Sequence, residues 1–126
     1  MQQTTAIIAD DVKEMRKLLA STLSALNIKI IDEVDNGRDA LNLIILNKPH
    51  LCFLDIDMPQ MNGLEVLDEI RIQSIDVYPV IISGHSTADN VKNAITLGAK
   101  GFVVKPYTLN KVKQITEKYQ RSQNNN

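Results

Sequence analysis

Four places in this sequence carry side chains that could do chemistry. They are the acidic pair Asp10-Asp11, the run Asp55-Ile56-Asp57, the hydroxyl of Ser83 and the ammonium of Lys105. Carboxylates gathered at one spot repel, so they need a cation. Hard oxygen ligands without a dedicated cage suit Mg²⁺, which keeps several waters and takes one or two carboxylates. A bound cation would let a phosphate approach. Lys105 could then neutralise a phosphate oxygen, and Ser83 could donate to another. A central carboxylate can serve as a nucleophile toward phosphorus. Phosphoryl transfer asks chiefly for in-line positioning and charge stabilisation, which this set could supply. Each residue taken singly has an ordinary explanation. Asp10 or Asp11 could cap a helix, Asp55 could open a turn, Ser83 could cap the next helix, and Lys105 could be solvated. The chemistry depends on whether the elements bring the four places together.

The elements alternate. Ala6–Ala9 reads as a buried strand ending at Asp10-Asp11, which could cap the helix that follows. Val12, Met15, Leu18, Leu19, Leu23 and Leu26 then recur at helical spacing. Ile28–Val34 is a second strand, punctuated by Asn36-Gly37. A helix through Ala40, Leu43 and Ile44 ends before Pro49. Leu51–Leu54 is a third strand, apolar on both faces. A long turn, 55–63, leads into a helical stripe at Leu64, Leu67 and Ile70, with Val66 beside it. Val80–Ile82 is a fourth strand after Pro79, and Ser83-Gly84-His85-Ser86 a polar turn. Val91, Ala94, Ile95 and Leu97 mark a fourth helix with Gly98 placed for its C′ position. Phe102–Val104 is a fifth strand ended by Lys105-Pro106. Leu109, Val112, Ile115 and Tyr119 make the last helical stripe, and 121–126 reads as a frayed polar tail. Five strand–helix units with strands buried on both faces predict an α/β fold, a doubly wound parallel sheet with right-handed crossovers. Such sheets place ligands at the carboxyl ends of their strands, and all four places follow a predicted strand.

The chain has 126 residues, 44% of them hydrophobic and 23% charged, which is ample for one core and excludes collagen-like and low-complexity classes. The single cysteine, Cys52, excludes an intrachain disulfide framework and fits a reducing compartment. The longest apolar runs are four residues, far short of the roughly 20 that span a bilayer. Residues 1–5 have no basic, then apolar, leader pattern, so a cytoplasmic location is expected. The net charge of −1 hides an asymmetry: between Lys92 and Arg121 seven cations face only Glu117. That basic quarter fits an acidic or amphipathic protein segment better than nucleic acid, or it is simply a solvated helix face.

Together, Asp10-Asp11, Leu54-Asp55-Ile56-Asp57-Met58-Pro59-Gln60-Met61-Asn62-Gly63, Ser83 and the stretch Gly98–Pro106 resemble a response-regulator receiver domain of two-component signalling. The resemblance covers about residues 5–119 of one 1–126 domain. It implies a CheY-like, flavodoxin-like (βα)5 sheet in the order 2-1-3-4-5. It implies phosphorylation of Asp55 by a histidine kinase or a histidine phosphotransfer protein, with self-catalysed phosphorylation and dephosphorylation rather than turnover of a separate substrate. Mg²⁺ would be held by Asp10 and Asp11, one directly and one largely through water, by Asp55 and by the backbone carbonyl of Asp57. Ser83 would be the switch hydroxyl, Lys105 the lysine that pairs with the phosphoryl group, and Phe102 the switch aromatic, unless Phe102 is a plain core ring. Lys105-Pro106 would be a cis peptide. The signal would be read on the face of helix 4, strand 5 and helix 5, by an output protein docking on the basic quarter. A monomer or weak dimer is expected, without membrane or direct nucleic-acid binding.

Some positions are particular to this chain. Asp57 and His85 stand where they could tune the lifetime of the phosphoryl group; His85 could equally be an inert surface residue. His50 reads as structural or solvated and Cys52 as core; Tyr78 and Tyr107 could flank the output face or be plain packing residues. Competing readings are weaker. A haloacid-dehalogenase-type phosphatase fits Asp55-Ile56-Asp57, but Pro59 stands where its pattern wants Thr or Val. A flavodoxin-type FMN carrier would need a hydroxyl-rich phosphate loop where Asp10-Asp11 stand. A non-phosphorylated docking scaffold, or a receiver cut from a larger regulator, remains as an alternative.

Overall fold

The computed structural model describes residues 3–85 and 87–124. Its elements are β1 (Thr5–Ala9), α1 (Lys13–Ala25), β2 (Lys29–Val34), α2 (Gly37–Asn47), β3 (Leu51–Asp55), α3 (Gly63–Ile72), β4 (Tyr78–Ser83), α4 (Ala88–Thr96), β5 (Gly101–Val104) and α5 (Leu109–Asn124). The five strands form one parallel sheet in the order β2-β1-β3-β4-β5, as expected.

The two-residue period of a strand sends alternate side chains to opposite faces. Ile7, Ala9, Cys52, Leu54 and Ile81 face a core closed by α2, α3 and α4 through Ala40, Ile44, Val66, Leu67, Ile70 and Ala94. Ala6, Ile8, Leu51, Phe53, Val80, Ile82 and Val103 face the other core, closed by α1 and α5 through Leu19, Leu23, Val112 and Tyr119. Burying each large side chain contributes roughly 1.5–3 kcal/mol, so the central strands β1, β3 and β4 anchor both layers. Val66, read as lying beside the α3 stripe, is fully buried, whereas Leu64 is half-buried.

Helix starts follow local chemistry. Asn36 and Thr87 cap α2 and α4 through their side chains, and Asn62 with Glu65 forms a reciprocal capping box on α3. Gly98 follows α4 at φ +100°, the left-handed conformation for which glycine is suited.

Four expectations are corrected. Neither Asp10 nor Asp11 caps α1: its N-cap is Val12, without a side-chain bond. Asp10 is committed elsewhere, as described below. β4 begins at Tyr78, so Pro79 lies inside it, buried. Pro79 points its carbonyl toward Lys100, just before β5 begins, so its missing N–H interrupts no ladder. Ser83 does not cap α4, since Thr87 does. The tail is not frayed: α5 continues to Asn124, and Gln120 Nε2 donates to Thr4 Oγ1 at 3.1 Å. Ser86 of the polar turn, residues 1 and 2 of the N-terminus and Asn125-Asn126 of the tail lie outside the described residues.

Candidate functional site

Strand parity assembles the site. Asp10 continues the side-chain alternation of Ala6 and Ile8, Asp55 that of Leu51 and Phe53, and Lys105 that of Val103. Register places Ala9 beside Leu54, so the next residue outward on each strand is an aspartate on the same face of the sheet. Lys105 N donates to the Ser83 carbonyl at 2.8 Å, which carries β5 one residue beyond its last paired position. The Lys105-Pro106 peptide is cis.

The outcome is a buried ion triad. Lys105 Nζ lies 2.8 Å from Asp10 Oδ2 and 2.9 Å from Asp55 Oδ2. Asp10 is 0% and Asp55 2% exposed. One carboxylate oxygen from each of Asp10, Asp11 and Asp55 can be chosen so that all lie within 4.8 Å of one another. Asp11 is exposed, leaving a side of the cluster open to water. An all-oxygen donor set with an open side fits a hard divalent cation such as Mg²⁺. Asp57 lies in the turn above, its side chain exposed and its N–H donating to Asp55 Oδ1 at 3.3 Å.

Burial raises the Asp55 carboxyl to about 6. The hydrogen bond from Lys105 opposes this, and the Asp10 charge reinforces it. Lys105 is pushed down by burial, but hydrogen bonds and charges from Asp10 and Asp55 outweigh that and hold it above its ordinary value. The phenol of Tyr107 is pushed up by burial and then by the charges of Asp10 and Asp55.

The remaining sequence-selected residues are placed differently. Ser83 is buried at the end of β4, with its hydroxyl donating to the His85 carbonyl at 2.7 Å and accepting the His85 N–H at 2.9 Å. The exposed His85 therefore meets the switch candidate through its backbone. Phe102 is half-buried against the α2–α4 core, on the face opposite Lys105. His50 is structural: its Nδ1 accepts the Thr5 backbone N–H at 3.0 Å. Tyr78 packs edge-on against Tyr119 at 5.2 Å. Of the two readings of Tyr107, packing holds and a place on the output face does not. The residue is buried, and its hydroxyl donates to Asp10 Oδ2 at 3.3 Å. Sequence reasoning missed this contact, because Tyr107 lies past the end of β5, beyond a cis peptide, where strand periodicity gives no signal.

A groove of about 1040 Å³ lies at the other edge of the sheet, lined by Lys48, His50, Tyr78, Lys100, Lys118 and Tyr119 among others. None of Asp10, Asp11, Asp55 and Lys105 lines it, so the chemistry follows the charged cluster rather than this groove. Among the described residues no helix is long and apolar enough to cross a membrane.

Comparison with known proteins agrees with the geometry. The family profile described as the response regulator receiver domain matches residues 6–117. The chemotaxis protein CheY of Listeria monocytogenes is 32% identical over 112 residues, covering 89% of this chain and 94% of CheY. A protein-glutamate methylesterase/protein-glutamine glutaminase of Clostridium acetobutylicum is 33% identical over 138 residues, covering 100% of this chain; the chain spans only 40% of that relative's length. Among solved structures, a DNA-binding response regulator of the LuxR family from Staphylococcus aureus superposes with TM-score 0.87 at 29% identity, covering 92% and 98% of the two chains. A CheX–CheY–BeF₃–Mg²⁺ complex from Borrelia burgdorferi gives 0.86 at 28% identity, covering 91% and 87%. With the sheet order, the acidic cluster and the profile match in agreement, this chain belongs to the response regulator receiver domain family of two-component signalling, with a CheY-like fold.

Proposed function

We propose that this chain is a phosphorylation-dependent switch that accepts a phosphoryl group on Asp55 from a phosphohistidine of a histidine kinase or a phosphotransfer protein. The observation that carries this reading is the buried Asp10–Lys105–Asp55 triad, with Asp11 beside it, at the carboxyl end of the sheet. Asp55, its carboxyl raised to about 6 by burial, is still largely ionised at neutral pH, and the exposed Asp11 beside it marks the open side of the cluster. An oxygen of the Asp55 carboxylate attacks phosphorus. The phosphorus–nitrogen bond of the donor breaks, and its electron pair returns to the ring nitrogen, which takes a proton from solvent. Asp10, Asp11, Asp55 and the Asp57 carbonyl would hold Mg²⁺, which would neutralise phosphoryl oxygens and let them approach the carboxylates.

Lys105 then exchanges the Asp55 carboxylate for a phosphoryl oxygen. Ser83 leaves the His85 backbone to donate to another, and Phe102 follows the space vacated. The population shifts toward a form in which the α4–β5–α5 face is read. Exposed Lys92, Lys111 and Lys113 make that face basic, suited to an acidic or amphipathic segment of an output protein. Asp57 and His85 set how readily water reaches the phosphoryl group. The chain acts in the cytoplasm as one receiver domain, a monomer or weak dimer, without binding nucleic acid directly.

The test is intact-mass spectrometry after incubation with acetyl phosphate, with and without Mg²⁺, alongside Asp55→Asn. One phosphoryl adduct that needs Mg²⁺ and vanishes in the variant is expected. The absence both of an adduct and of Asp55-dependent phosphate release would overturn the reading in favour of a docking scaffold.

A further inference from the structure

The groove at the amino ends of the strands combines two features that the sheet itself does not need. Its lining includes Lys48, Lys100 and Lys118 against one anion, Asp76. All three lysines are exposed, and among the described residues none of them forms an ion pair. Burial raises the Tyr78 phenol and the Arg121 charge opposes it, so a fourth cation stands near this lining ring. Much of the remaining lining is apolar, with Ile45, Ile75, Val77 and the ring of Tyr78. Leu46 and Ile72, next in the chain to the lining residues Ile45 and Gln73, are exposed large apolar side chains. Lysines at helix C-termini can serve simply to offset the helix dipole, an effect confined to the last turn. That explains Lys48, the C-cap of α2, but Lys118 lies six residues before the end of α5. It also calls for no exposed isoleucine or leucine. Exposed apolar side chains beside uncompensated charge of one sign mark a recognition surface, apolar at its centre and polar at its rim.

We propose that this groove is a second docking surface, which takes an acidic amphipathic segment of a protein partner. Acidic side chains of the segment meet Lys48, Lys100, Lys118 and Arg121, and its apolar side covers Ile45, Leu46 and Ile72. Charge complementarity selects this occupant. A purely acidic segment would leave the apolar side chains in water, and a purely apolar one would leave the cations unmatched. The surface lies at the edge of the sheet opposite Asp10, Asp55 and Lys105, none of which lines it. Its occupation therefore calls for no phosphoryl group on Asp55.

The test is fluorescence anisotropy of the full chain, without a phosphodonor, against a labelled synthetic helix that carries Glu along one face and Leu and Phe along the other. Without a phosphodonor the α4–β5–α5 face is in its unread form, so Lys92→Glu/Lys111→Glu should bind the peptide as wild type does. Lys100→Glu/Lys118→Glu should bind about tenfold more weakly, and Ile45→Ser/Ile72→Ser about threefold more weakly. Urea unfolding checks that each variant is folded. Should the charge reversals fail to fold, Lys100→Ala/Lys118→Ala is read by the same criterion. No binding by wild type overturns the proposal. So does an equal loss in Lys92→Glu/Lys111→Glu, which would show attraction to positive charge in general. Binding untouched by Ile45→Ser/Ile72→Ser would mean that an anion alone suffices, and overturns the amphipathic partner. Sedimentation of the chain alone covers the remaining occupant: dimerisation abolished by Lys100→Glu/Lys118→Glu would assign the groove to a second copy instead. None of these outcomes bears on the phosphorylation of Asp55, which the mass measurement decides separately.

Discussion

Lys105 and Asp10 come from opposite ends of the chain, from two strands that do not pair, and meet at 2.8 Å with the carboxylate fully buried. The same ammonium reaches Asp55 at 2.9 Å, so one cation offsets two buried anions. With Asp11 beside them, the protein's own side chains leave an excess of negative charge at the carboxyl end of the sheet.

Lys105→Met leaves both carboxylates without their counter-ion. Breaking a buried pair by removing one partner is strongly destabilising. Urea unfolding in EDTA should show a loss on the order of 3 kcal/mol, with Mg²⁺ restoring part of it. A variant as stable as wild type in EDTA would show that solvent already screens the triad.

Stability should depend on pH through Asp55. Its folded value, about 6, lies above its ordinary 3.8. The folded state therefore binds the proton more tightly than the unfolded chain. The stabilisation from this group is fully present below 3.8 and is lost as pH rises through about 6. In EDTA this group alone should cost on the order of 2–3 kcal/mol between pH 4 and pH 7. Asp55→Asn should remove that part of the slope and be the more stable protein at pH 7. Parallel pH profiles for the two proteins would contradict this.

Gly63 sits where α3 turns back under β3, and a Cβ there would run into the backbone carbonyl of Asp55. Gly63→Ala must therefore move the phosphoryl-accepting residue or the start of the helix. A destabilisation of about 1–3 kcal/mol is expected in urea unfolding, the range for overpacking. Phosphorylation by acetyl phosphate, followed by mass, should fall at the same time. Glycine matters here because of close approach, not because of φ.

Cys52 is wholly buried in β3, and burial pushes its thiol well above the ordinary range, with a backbone hydrogen bond opposing weakly. The thiolate is the reactive form. A thiol reagent should leave the native protein unlabelled, and its rate should follow the unfolded fraction across a urea titration. Fast labelling of the native protein would mean that β3 opens locally.

Much of the layout was legible because strands buried on both faces leave continuous apolar runs, as at Ala6–Ala9 and Leu51–Leu54, which amphipathic stretches separate. The polar residue ending each run was legible for the same reason: Asp10, Asp55, Ser83 and Lys105 stand out against apolar neighbours. Pro79 misled because proline is a strand breaker by rule, while its actual tolerance depends on which neighbour its N–H would have faced. The helical tail past Gln120 carries few apolar residues. It runs on from a helix already packed through Val112 and Tyr119, and Gln120 is tied to Thr4.

Legible in the chain alone were the alternation of elements and the residue types available at the strand ends. Only the tertiary structure decided that Lys105 bridges Asp10 and Asp55, that Ser83 is held by the His85 backbone, and that the hydroxyl of Tyr107 reaches Asp10. The reason is physical. Periodicity is a local property of the chain, whereas these contacts depend on register between strands far apart in sequence and on which buried donors are left for each buried acceptor.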